Sequence, residues 1–175
     1  MFTSISPIRS AEALDDAMLD KMLSKAAKLL TNALFSHGYK VDSKQTKFVK
    51  SDFSLWTASN YKNYMWMLDF FISVRDERHL RFPDLKEHKD WELLCLFVHW
   101  RGKIPKTNPK LDAFPNITEY KDSSATVCYR KWLEDTWNNA EEIPEWTLRG
   151  PPIWSWRNDI NIDKLEETSY NYLEV

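Results

Sequence analysis

The chain has 175 residues, 43% of them hydrophobic and 29% charged, with a formal net charge of −2, which is one globular domain's worth of ordinary composition. It holds 9 Trp but only 3 Gly, at Gly38, Gly102 and Gly150, where average usage would supply about 12 glycines; that spacing excludes every GxGxxG or GxxxxGK[ST] phosphate-binding loop. The near-neutral balance excludes a global pull toward nucleic acid and leaves room only for a local basic patch.

Residues 1–9 lack the apolar stretch of a signal peptide. Ser10 reads as a helix N-cap, followed by Glu12, Asp15 and Asp16 at the positive helix end. Leu14, Met18, Met22, Ala26, Leu29 and Ala33 recur every three or four residues, so the spacing predicts a long amphipathic helix of about 37 Å. Gly38 is placed to end it. Lys21, Lys25 and Lys28 share one face of that helix. Residues 39–50 form a polar connection with four lysines.

A second helix is expected from Phe53 to Arg78, capped by Ser51 or Asp52, with the apolar run Leu68–Val74 in the core. Pro83 separates it from a third, Leu85–Trp100, with Trp91, Leu94, Cys95 and Val98 on one side. Residues 101–122 are a long basic loop, a feature often tied to function. A fourth helix is expected over Ser124–Asn138. Glu145–Trp156 is an aromatic wrap in which Pro151 and Pro152 forbid helix. No strand is expected. The fold class is mainly α: a single helical domain over 1–156, then an acidic tail, 157–175, with a net charge of −3.

Cys95 and Cys128 fall in apolar helical patterns and read as buried, reduced thiols. The histidines His37, His79, His88 and His99 form no HxxxH or HExxH pair, and there is no CxxC. No metal and no cofactor are therefore expected. No apolar run approaches the ~18 residues of a membrane span. Bases interleave with aromatics at His88-Lys89-Asp90-Trp91, Tyr120-Lys121 and Tyr129-Arg130-Lys131-Trp132. Such patterns suit nucleic acid, with rings stacking on unpaired bases and cations on phosphates. They equally suit core aromatics beside a solvated face.

An ordered series of motifs resembles the phage-encoded endonuclease V type of pyrimidine-dimer DNA glycosylase. The first is Asp16-Ala-Met-Leu-Asp-Lys-Met-Leu-Ser-Lys-Ala-Ala-Lys-Leu-Leu30, similar to the family's first helix. Ser54-Leu-Trp56 with Asn63-Tyr64-x-Trp66 resembles a Trp…Asn-Tyr-x-Trp pattern. Arg81-Phe82 followed by His88-Lys89, then Glu119-Tyr120-Lys121 with Tyr129-Arg130-Lys131, come next in order. Trp146…Arg149…Pro152…Trp154 is similar to the family's ending. The resemblance spans about residues 14–156. It implies a compact helical domain, double-stranded DNA as substrate, and glycosylase/lyase chemistry without cofactor. In that chemistry an N-terminal amine attacks the sugar C1′ and a helix glutamate moves protons.

The departures fall on the chemistry. Lys25 stands where the family motif has its glutamate, Met18 where it has a histidine, and Ser51-Asp52-Phe53 where relatives have His-Pro-Cys. Phe2 is bulky and disfavours removal of Met1. Two readings follow. In one, the glycosylase fold binds DNA, or a host or phage protein, in the cytoplasm of the infected bacterium. In the other, it is a base- or nucleotide-processing enzyme with rearranged residues, Lys25 serving as Schiff-base amine with its pKa lowered by Lys21 and Lys28. The residues expected at nucleic acid are Lys21, Lys28, His88, Lys89, Lys121, Arg130, Lys131 and Arg149, with no membrane partner.

Overall fold

The helix that carries the lysine row is the spine of the molecule. The computed structural model describes residues 2–40, 49–116, 119–120 and 124–155; Lys121 and the acidic tail lie outside them. The elements are α1 (Pro7–Glu12), α2 (Asp16–Ser36), α3 (Asp52–Ser59), α4 (Tyr61–Arg81), a 3-10 turn (Lys89–Leu93), α5 (Leu94–Trp100), a second 3-10 turn (Arg101–Lys103) and α6 (Ala125–Asn138). The fold is all-helical, with no strand among the described residues.

The long first helix is two helices. Ser10 is no cap; it is buried inside α1, where its Oγ donates to the Ser4 carbonyl at 3.1 Å. The caps are Ser6 for α1 and Asp15 for α2, each worth about 1 kcal/mol. The break is held from outside. Arg81, fully buried, donates through Nη2 to the carbonyl of Glu12 at 3.1 Å and through Nη1 to that of Leu14 at 2.8 Å. The Glu12 carbonyl is one that a helix end leaves without a partner, and that of Leu14 lies in the break itself. At its far end α2 stops as expected, with Gly38 at a φ of +85°.

The second expected helix also breaks. Asn60 is extended, at φ −151° and ψ 141°, between α3 and α4. Its Oδ1 caps the Lys62 amide, its Nδ2 donates to the Lys110 carbonyl, and the Tyr61 amide donates to the Pro105 carbonyl. The basic loop thus fills the joint. Buried Asn63 tightens it, donating to the Trp56 carbonyl at 3.0 Å and to Asp112 at 2.8 Å.

The expected third helix is largely absent. Residues 84–88 are irregular, and only Leu94–Trp100 is α-helical. Phe97, not Cys95, is the residue it buries; Cys95 is exposed while Cys128 is buried. α6 matches expectation, capped by Ser124. Leu34, Tyr64, Phe70, Phe71 and Leu30 are among the fully buried side chains of the main core, built on α2 and α4. Leu133, Trp137 and Trp146 form a smaller one, closed by the aromatic wrap.

Candidate functional site

One turn of α2 separates Lys21 from Ser24 and Lys25, and another brings Lys28, so all four share a face. Lys21 and Lys28 are exposed. Lys25 is half-buried because α3 crosses α2 there and presents Phe53. The Lys25 Nζ lies 4.8 Å from the Phe53 ring centroid. It has no hydrogen bond and no carboxylate partner among the described residues. Burial pushes the Lys25 amine below the ordinary lysine range. The cause is desolvation rather than repulsion by Lys21 and Lys28.

Phe53 leads to the start of the chain. Its ring is 5.5 Å from that of Phe2. Phe2 is completely buried, stacked on Phe114 at 4.4 Å and set edge-on to Trp56 and Tyr129. The bulk expected to protect Met1 is therefore also a core residue. Thr3 follows, and its carbonyl accepts from Arg130 Nε at 2.8 Å. The Arg130 guanidinium lies over Trp154, 5.4 Å from the ring centroid. The buried hydroxyls of Thr3 and Ser155 have no partner among the described residues.

His88 reaches the lysine row from the other side. Its Nδ1 accepts from the Asp90 amide at 3.2 Å, capping the 3-10 turn. That places the neutral ring's proton on Nε2, which donates to Ser24 Oγ at 3.4 Å. Ser24 sits between Lys21 and Lys28 in the helical repeat, but an uncharged hydroxyl on a helix carries no local signal of such a contact. The docking brings exposed Lys89 onto a turn packed against α2.

The remaining residues divide. Lys131 is exposed on α6. Arg149 is held by the carboxylates of Glu77 and Glu12. Glu77 also accepts from Arg81, which binds Asp16 at 2.8 Å. This network sits at the start of α2, about 14 Å of helix from Lys25, so Arg149 and Arg130 do not flank one cleft around Lys25. Among the aromatics beside the bases, Trp91, Tyr129 and Trp132 are packing residues. Tyr129 is buried, and Trp91 stacks on Phe71 with its ring centroid 5.5 Å away. Trp56, Trp66 and Trp146 are buried as well, and Trp154 stacks on Trp137.

No group of three or more metal-ligating side chains converges among the described residues. None of the described helices is long and apolar enough to cross a membrane. No family model, curated protein or solved structure matches the chain.

Proposed function

We propose that the chain is a divergent, phage-encoded relative of the pyrimidine-dimer DNA glycosylases that binds DNA in the cytoplasm of the infected host. The observation that carries this reading is the α2 face. Lys21, Lys25 and Lys28 follow one another along a rigid helix, none paired with a carboxylate among the described residues. Unpaired cations at fixed spacing suit a phosphate backbone. His88 sets Lys89 beside them. Arg130, fixed by Thr3 and Trp154, keeps its terminal amino groups without a protein partner among the described residues and adds a fork that fits phosphate.

Retention of double-stranded DNA at low salt tests the reading. Binding should fall steeply with salt, and the double variant Lys21→Glu/Lys28→Glu should weaken it and lower the salt slope by about 2. A protein that retains no DNA at low salt would overturn the DNA reading and leave a host or phage protein as partner.

A second reading, an active enzyme of the glycosylase/lyase type, is favoured by the depressed basicity of Lys25. A neutral Nζ can add to the C1′ aldehyde of an abasic site and lose water to give an imine. Borohydride then reduces the imine to a stable secondary amine. A trapped adduct that disappears in Lys25→Ala supports the enzyme. Retained DNA without any adduct supports a binding protein.

A further inference from the structure

α1 and α4 pack side by side, and a groove between them opens to solvent. On α4, Asp69, Ile72, Asp76 and Leu80 line it at spacings of three and four. They form one stripe about 16 Å long, the length of three helical turns. Ile8 faces them from α1. Ile8 is 59% exposed and Leu80 51%, so two aliphatic side chains stand on opposite walls in water. The segment that leads into α1 is tied to α4, because Trp66 Nε1 donates to the Ile5 carbonyl at 2.7 Å.

The acids of the groove are of two kinds. Glu12 and Glu77 are neutralised by Arg149, and Glu77 by Arg81 as well. Asp76 shares Arg75 with Glu87, and its 3.1 Å contact is the longer of the two. Asp69 has no hydrogen bond to its carboxylate and no ion pair among the described residues. Partial burial raises the Asp69 carboxyl above the usual carboxylate range. A carboxylate in that position, beside aliphatic walls, gains most from a cation brought to it.

We infer that this groove docks a basic amphipathic helix of a partner protein, its apolar face on Ile8, Ile72 and Leu80 and a Lys or Arg on Asp69. The charge selects the occupant: Asp69, which has no cation of its own among the described residues, favours a Lys or Arg and repels a phosphate. The inference uses α1 and α4 and none of the lysines of α2, so it stands apart from the DNA reading.

The probe is a fluorescein-labelled Leu/Lys amphipathic peptide of about 14 residues, enough for the stripe, with a Leu/Glu peptide of the same pattern as control. At low salt the full chain should bind the Leu/Lys peptide about tenfold or more tightly than the control. Asp69→Lys and Ile8→Glu lie at exposed positions. Each should weaken that binding about tenfold while the circular dichroism spectrum and Tm stay those of the wild type. Equal binding of the two peptides would overturn the inference, as would folded variants that bind like the wild type. A concentration-dependent dimer in sedimentation, abolished by both variants, would also overturn it, because a second copy would then be the occupant.

Discussion

The Lys25 ammonium lies 4.8 Å from the centroid of the Phe53 ring, on a helix face otherwise given to solvated lysines. A cation over a ring gains about 0.5–2 kcal/mol. Burial acts in the opposite sense and holds the amine less basic than a free lysine. This has a thermodynamic consequence with a definite sign.

In the unfolded chain Lys25 has an ordinary pKa, and in the folded chain a lower one. Between the two values the unfolded state binds more protons, so stability rises with pH across that window. Below it the penalty for burying the charge is fully present. Lys25→Met removes the titrating group and keeps the stem. The variant should therefore lose this alkaline rise, and its stability advantage over the wild type should shrink as pH approaches the ordinary lysine value. Urea denaturation at a series of pH values measures it. A wild type and a Lys25→Met variant with parallel pH profiles would show that burial does not perturb the amine.

Phe2 carries a larger stake. Among the described residues five aromatic partners surround its ring, from Phe53 and Trp56 to Trp66, Phe114 and Tyr129. Truncation to Ala leaves a cavity in the middle of them and should cost about 3–5 kcal/mol. Ile5→Ala, three residues on but exposed, should change stability by less than about 0.5 kcal/mol. The pair isolates packing from any general effect of altering the start of the chain. Equal, small losses in both variants would show that Phe2 is not a core residue.

What the sequence makes legible follows from where each element finds its partners. α6 and the body of α2 are legible because an apolar stripe and a local cap specify each one. The two breaks are not. The α1–α2 break depends on Arg81, which lies far along the chain, and the α3–α4 break depends on carbonyls of Pro105 and Lys110. Periodicity alone runs through both. Residues 84–93 look helical because Pro83 and the apolar spacing are local signals, yet His88 spends its cap on a short 3-10 turn docked to Ser24. The lysine row was visible as a spacing. Its asymmetry, with Lys25 covered and its neighbours free, comes from the docking of α3 and has no local signature.

Asp16 tests the other end of α2. Burial pushes its carboxyl up, but hydrogen bonds from Arg81 and Thr147 more than reverse this and hold it below the usual carboxylate range. Its Oδ1 meets Arg81 Nη1 at 2.8 Å, and its Oδ2 accepts from the Thr147 hydroxyl at 2.7 Å. A carboxylate whose folded pKa is depressed contributes stability above its unfolded pKa and loses it as pH falls through the folded one. Asp16→Asn keeps a side-chain acceptor for Thr147 but leaves fully buried Arg81 with one anion fewer. It should cost about 1–3 kcal/mol at neutral pH. The gap to the wild type should close on acidification, because the wild type then loses the same charge. The aromatic wrap should loosen with it, since Thr147 and the Trp146 indole, which donates to the Ala13 carbonyl at 3.4 Å, dock on the same turn. Limited proteolysis reads that second effect: cleavage within 145–155 should speed up in Asp16→Asn and stay unchanged in Asp20→Asn, an exposed site on the same helix. A neutral-pH stability equal to the wild type's would mean that the Arg81–Asp16 contact does not hold the α1–α2 break.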